Sequence, residues 1–116
     1  MFPVMLDLVN RGAFGLQAVA DVLSHKPARI FGLYPKKGHI AVGAQADLTL
    51  VDLNRTWVVD PYKLETKVKE TCKLYEGLEF QGAITDVFVA GRAVVEKGSI
   101  VAEKPFGNVL KGPMSK

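Results

Sequence analysis

The chain has 116 residues, 48% of them hydrophobic and 23% charged, a balance that fits one globular domain at most. Fifteen Lys and Arg against 12 Asp and Glu give a net charge of +3, which excludes an acidic, solvating disordered chain. There is no run of about 18 apolar residues to cross a membrane, and a single cysteine, Cys72, excludes an internal disulfide framework.

In chain order, Pro3 suits the first turn of a helix over residues 3–10. Val4, Met5, Leu8 and Val9 fall on one face at helical spacing, and Gly12 stops the helix. The opening segment has no basic leader and carries Asp7 within its apolar stretch, so no signal peptide is expected. A second helix fits residues 15–24, with Leu16, Val19, Ala20 and Leu23 on one stripe. A third, short helix starts at Pro27, holds Ile30 and Phe31, and ends near Gly32. These helices are too short to be stable alone and must bury their stripes on something else.

The character changes after Lys37. Residues 38–46 form a Gly- and Ala-rich loop. The run 47–53, DLTLVDL, predicts a buried strand, and Trp57–Val59 a second short extended piece. Asp60-Pro61 has the form of an N-cap followed by Pro at the first helical position. Lys63, Lys67, Lys69 and Lys73 interleave with Glu65 and Glu70 at helical spacing, which predicts a solvated, salt-bridged face. No aromatic stacking platform accompanies these lysines, so no nucleic-acid partner is expected. Residues 71–82 read as irregular. Residues 84–90, 92–96 and 99–102 then form a three-stranded meander, turning at Ala90-Gly91 and Lys97-Gly98 with the glycines tight hairpins require. The tail, residues 104–116, is expected to be extended or disordered unless a partner holds it. Helices first and strands after, without βαβ alternation, predict an α+β fold.

The stretch PARIFGLYPKKGHIAVGAQADLTLVDLN, residues 27–54, resembles the cyclic amidohydrolases: dihydroorotases, allantoinases, dihydropyrimidinases and hydantoinases. The matching positions are Pro27 to Leu33, Lys37-Gly38, Gly43, and Ala46 to Leu48. Tyr75-Glu76-Gly77 resembles that family's aromatic-Glu-Gly, and Val87 to Arg92 resembles its Val-x-Val-x-Gly-Arg strand and turn. The resemblance runs from about residue 3 to 108 but does not separate one of these enzymes from another. Two positions depart from the pattern. Lys26 stands where Asn is usual, so the third helix lacks a side-chain N-cap, a loss of roughly 1 kcal/mol. His39 stands where Thr is common.

The resemblance implies a (β/α)₈ barrel of typically about 250 residues in full-length relatives. It also implies a two-metal zinc site held by a His-x-His pair, a carboxylated Lys, two further His and an Asp. No His-x-His occurs here. By this resemblance residues 1–37 match the last helices outside the barrel. Residues 38–103 match the C-terminal strands of a small, incomplete β-sandwich that strands from the N-terminus complete. The chain is then expected to be a C-terminal fragment that carries no catalytic, cofactor-binding or metal-binding residue and is inert alone. The alternatives are a non-catalytic oligomerisation module and one subunit of a split enzyme whose barrel is a separate chain.

The residues themselves offer few sites. His25 and His39 are the only histidines, without the carboxylate placement of a ligand motif, and read as surface or loop residues. Asp47 and Asp52, five apart on one strand, should point to opposite faces of the pleat. Asp47 reads as a loop anchor bonded to backbone N–H groups. Arg29 reads as a structural ion pair. Cys72, between Lys69 and Lys73, has no general base at hand. Gly38 and Gly43 make no phosphate-binding motif. Phe31, Tyr34, Trp57 and Phe88 read as core, or as core facing a missing partner. Exposed apolar surface and an open strand edge predict self-association, and the absence of disulfides predicts a cytoplasmic setting.

Overall fold

The computed structural model describes residues 1–104 and 106–110. Helix α1 spans Phe2–Asn10 and α2 spans Leu16–Ala20. A π turn over Asp21–His25 follows without a break and runs into α3, Lys26–Ile30. Strand β1 is Leu48–Val58, β2 is Glu79–Val89, β3 is Arg92–Glu96 and β4 is Ser99–Ile100. The strands form one antiparallel sheet in the order β1-β2-β3-β4. The fold is α+β, as the order of elements predicts.

Glycine ends both helical runs by the same device. After α1, the N–H of Gly12 donates to Val9 and that of Ala13 to Leu8, while Gly12 sits at φ +75°. After α3, the N–H of Gly32 donates to Arg29 and that of Leu33 to Ala28, with Gly32 at φ +67°. These are paired Schellman closures, which need a left-handed residue just past the helix.

The expected second and third helices are one continuous helical run. Pro27 has no N–H to give to Leu23, and its ring crowds that carbonyl, so the helix widens into a π turn rather than breaking. His25, the residue ahead of α3, is itself helical at φ −64° and ψ −54°. No cap position exists there, and Lys26 costs no lost N-cap.

The two extended pieces expected at 47–53 and 57–59 are likewise one strand. Register shifts between Leu50 and Val51 and between Asp52 and Thr56 mark irregularities along it. The segment expected to be irregular holds a 3-10 turn, Lys69–Tyr75, and the start of β2. β2 begins at Glu79 because Trp57 and Val58 of β1 pair with Phe80 and Glu79. The sheet is thus four-stranded, the meander plus β1. Both hairpin turns hold two residues with positive φ: Ala90 (51°) with Gly91 (77°), and Lys97 (49°) with Gly98 (81°). That is the type I′ pattern, whose twist matches the strands it joins.

The helical lysine face is not formed. Lys63 lies in a short 3-10 turn, Pro61–Lys63, capped by the Asp60 carboxylate accepting from the Tyr62 N–H at 3.0 Å. Lys63 reaches Asp60, Lys73 reaches Glu70, and Lys69 donates to the Tyr62 carbonyl. Of the tail, Phe106 lies under the Arg92 guanidinium at 5.5 Å, while Pro105 and residues 111–116 fall outside the described residues.

The core is thin. Leu6, Val19, Ala28 and Val59 are the buried hydrophobic residues among those described, and Leu16, Val22, Ile30 and Phe31 stand exposed on the helices. The stripe expected on α1 is only half-buried; Leu6 and Asp7 make the closest approach to the sheet. The exposed surface is 8757 Å², against about 6,200 Å² for a compact monomer of this mass.

Candidate functional site

A groove of about 1040 Å³ runs between the helical segment and the first half of β1. Val19, Leu33, Ile40, Leu48 and Val51 line it, and His25, His39, Lys37 and Asp47 contribute its polar part. The sequence leaves this space open for a physical reason. Of the π turn and α3, Leu23, Pro27 and Ala28 line the groove while Val22 and Ile30 stand exposed, and the Gly- and Ala-rich loop has few large side chains to fill the gap.

At one end of the groove three groups surround Tyr34. The His25 ring meets it edge-on at 5.3 Å, the His39 ring lies at 4.9 Å, and the Arg29 guanidinium sits 5.3 Å from its centroid. The two histidines are therefore brought together, though by an aromatic ring and not by a ligand. His39 Nδ1 is buried and finds no hydrogen-bond partner among the described residues. Both residues are half-buried; His39 lies in the loop, within the surface-or-loop reading, whereas His25 closes the π turn. Arg29 is exposed and makes a cation–π contact in place of the ion pair expected of it. Tyr34 and Phe31 are exposed, whereas Trp57 and Phe88 are half-buried in the sheet. Gly38 packs so closely on Ala28 that no side chain fits between them, which assigns it a packing role.

Asp47 has the anchoring role expected of it. Its carboxylate accepts from the Lys37 ammonium, from Gln45 at 3.2 Å, and from the Ala90 N–H at 2.8 Å. Burial pushes its pKa up, but Lys37, the Ala90 N–H and Gln45 outweigh that and hold the carboxyl below its ordinary value. Asp52 accepts instead from the Asn54 N–H at 2.9 Å and is not near Asp47's partners. The register shift at Leu50/Val51 skips Thr85 of β2, so the extra residue lies in β2 and not in β1. Cys72 is free, and its thiol lies 3.9 Å from the Val68 carbonyl.

A second polar cluster ties α1 to the sheet, and sequence reading gave it no role. Asp7 is buried, accepts from the Gln81 N–H at 3.0 Å, and pairs with the Arg11 guanidinium at 2.6 Å. The Gln81 N–H is the largest influence on its carboxyl; with Arg11 it holds the pKa low against the opposing effect of burial. One turn on, Asn10 donates to the carbonyls of Leu53 at 2.9 Å and Gln81 at 3.1 Å. These backbone groups lie where the β1–β2 register slips, so the helix satisfies atoms the ladder leaves open. The available signal was Asp7 itself, a carboxylate within an apolar helical stripe.

Neither cluster is a metal centre. Among the described residues no three His, Cys, Asp or Glu side chains gather where a cation could be held. The two histidines pack on Tyr34, and the buried carboxylate of Asp7 is already bonded to Arg11 and Gln81. These donors do not fit a two-metal site. No helix among the described residues is long and apolar enough to cross a membrane.

Comparison with known proteins agrees with this geometry. An L-hydantoinase from Paenarthrobacter aurescens is 37% identical over 109 residues, covering 93% of this chain and 23% of the relative. A dihydroorotase from Pyrococcus furiosus is 36% identical over 112 residues, covering 95% of this chain and 26% of the relative. The solved D-hydantoinase (dihydropyrimidinase) from Thermus sp. superimposes with a TM-score of 0.77 at 30% identity, over 92% of this chain and 24% of that one. The chain thus spans about a quarter of the length of the proteins it matches. The family model described as the amidohydrolase family matches residues 2–94. The chain belongs to the amidohydrolase family, among its cyclic amidohydrolases, and represents a partial region of such a protein.

Proposed function

We propose that this chain is the C-terminal scaffold of a metal-dependent enzyme that hydrolyses the C–N bond of a cyclic amide, and that it carries no catalytic group of its own. The observation behind this reading is the asymmetry of coverage: the matches take in nearly all of this chain and about a quarter of each relative. On this reading residues 1–37 lie outside a barrel, and residues 38–103 belong to a small sandwich. The barrel, in the same polypeptide or a separate one, carries the zinc ions. Bound metal in such an enzyme supplies a hydroxide at neutral pH and polarises the amide carbonyl. The chain's own residues contribute shape: Asp7 and Asn10 fix α1 on the sheet, and Asp47 fixes the loop at the groove. The substrate class is a cyclic amide of the hydantoin or dihydroorotate kind, since relatives of both names match comparably. The proposal includes a cytoplasmic setting, where the free thiol of Cys72 stays reduced.

The surface left uncovered supports this reading. Val22, Ile30 and Phe31 expose 49%, 77% and 68% of their area, too much on adjoining turns for a helix finished on its own.

Complementation tests it. The chain with zinc alone is expected to open neither hydantoin nor dihydroorotate. Mixed with an L-hydantoinase from which the matching region has been deleted, it is expected to restore ring opening. Turnover by the isolated chain overturns the proposal, and so does failure to restore a deleted relative that it demonstrably binds.

A further inference from the structure

We propose that His39 is a pH-sensitive latch: its neutral ring lets the loop over residues 34–46 dock on the π turn and α3, and protonation releases that loop. The latch is a buried imidazole nitrogen with nothing to bond. His39 Nδ1 is closed off from solvent and has no hydrogen-bond partner among the described residues. The atoms that enclose it belong to this chain, so the surface a longer polypeptide would cover does not extend to it. A neutral ring is tolerated here with its proton on Nε2 and a bare lone pair at Nδ1. A charged ring puts an N–H at Nδ1, and a buried cationic donor without an acceptor costs far more than a bare lone pair.

The docked loop has little freedom to supply that acceptor. Next to His39, Gly38 is wedged on α3: a methyl group there would overlap Ala28 Cβ and stand 3.1 Å from the Ser24 carbonyl oxygen. Tyr34, on which the His39 ring lies, is tied down as well, its N–H donating to the Ala28 carbonyl at 3.1 Å. The charged and titratable groups around the ring are Asp21 and His25 of the π turn, Arg29 of α3, Tyr34 and Lys37 of the loop, and Asp47 just ahead of β1. Asp47 is occupied by Lys37, and neither carboxylate bonds to Nδ1. Asp21 favours a charged ring, but Gln17 already donates to it at 3.5 Å. The Tyr34 face also attracts a cation, but Arg29 lies over it and repels a second one.

Docking is therefore strongest above the ordinary imidazole range, about 6.5, and weakens as pH falls through it. Release frees the segment that joins α3 to β1 and walls the groove. The window lies well above that of the Asp47 carboxylate, which acts below 3.8. The latch belongs to this chain in particular, because His39 stands where its relatives commonly carry Thr, which does not titrate. This inference is independent of catalysis. Its failure leaves the complementation result untouched, and the reverse also holds.

Amide hydrogen exchange on the full chain, corrected for its intrinsic pH dependence, tests it at about pH 7.5 and about pH 5.5. The reporters are the Lys37 N–H, which donates to Leu33 at 3.0 Å, and the Gln45 N–H, which donates to Lys36 at 2.8 Å. One imidazole titrating near 6.5 changes docking over this span by at most about tenfold, and the native chain is expected to lose about three- to tenfold of protection at both amides. The Arg11 amide of the α1 end is expected to keep its protection. His39→Thr is expected to abolish the loss, and His25→Gln to leave it in place. Should His39→Thr undock the loop at both pH values, His39→Gln, neutral throughout and closer in shape, carries the test with the same flat response expected. Equal protection of the native loop at both pH values overturns the proposal. So does a loss that survives a neutral residue at position 39, a loss that His25→Gln removes, or a loop that neither neutral variant can dock.

Discussion

Gly82 lets α1 lie directly on the sheet, because a methyl group at that position would stand 2.6 Å from Leu6 Cβ. Gly82 also sits at φ +105°, a conformation that side-chain-bearing residues rarely adopt. Leu6 is fully buried at this contact, and the Gly82 carbonyl accepts from the Trp57 indole N–H at 3.2 Å. Gly82→Ala is expected to destabilise the chain by about 2–4 kcal/mol, through backbone strain and overpacking together. Leu6→Ala keeps the clashing Cβ and adds a cavity, so it cannot rescue Gly82→Ala. Urea unfolding of the two single variants and the double variant checks both statements.

Acid should weaken the fold through anchoring carboxylates, Asp7 and Asp47 among them; Asp86, held low by Thr85 and the Lys97 N–H, adds to the same slope. Asp7 and Asp47 have folded-state pKa values below the ordinary 3.8. A carboxylate depressed on folding stabilises fully above its ordinary value, and that contribution is lost as pH falls through the depressed one. The urea midpoint is therefore expected to fall as pH drops from about 5 to about 2. Asp7→Asn with Asp47→Asn should lower the midpoint near neutrality and flatten this dependence. A double variant with the native acid slope would remove these two residues as its cause.

What could be read from the sequence was local. Ala90-Gly91 and Lys97-Gly98 announce their hairpins because a two-residue turn needs positive φ, and the sequence places glycine in each. Gly12 and Gly32 announce helix ends on the same steric grounds. The misreadings were non-local. Glu79–Gly82 have no strong strand pattern and become strand because β1 supplies a partner more than 20 residues away. Pro27 signals a helix start, yet the preceding turn absorbs it by widening. Asp7 was visible as a charge in an apolar stripe, but its partner, the Gln81 N–H, lies 74 residues on. The Tyr34 cluster was hidden for the same reason: the ring lies between residues 25 and 39 in sequence, and only the folded loop returns His39 to it.

The second hairpin turn can be improved. Lys97 occupies a left-handed position at φ 49°, exposed and without an ion pair among the described residues. Asn adopts this conformation more readily, and Asn-Gly is a favoured type I′ pair. The Lys97 N–H that donates to Asp86 at 3.1 Å belongs to the backbone and survives the change. Lys97→Asn is expected to stabilise by about 0.5–1 kcal/mol, read as a raised Tm. A lowered Tm would show that the lysine side chain, rather than the backbone, matters at this turn.

Asp47 and Asp86 do the same work at the two turns. Each accepts the N–H of the left-handed residue opening a hairpin turn, Ala90 for Asp47 and Lys97 for Asp86. Asp47 carries a second duty, because Lys37 and Gln45 bind the same carboxylate and hold the loop beside the groove. Asp47→Ala should therefore cost more than loss of one turn contact, about 1–3 kcal/mol for hydrogen bonds to a charged group. It should also loosen two segments that are distant in sequence. Amide hydrogen exchange resolves the two effects: Ala90 is expected to lose protection with Asp47→Ala, and Gln45, whose N–H donates to the Lys36 carbonyl at 2.8 Å, is expected to lose it as well. Loss at Ala90 alone would confine Asp47 to the hairpin and leave the loop held by its own backbone.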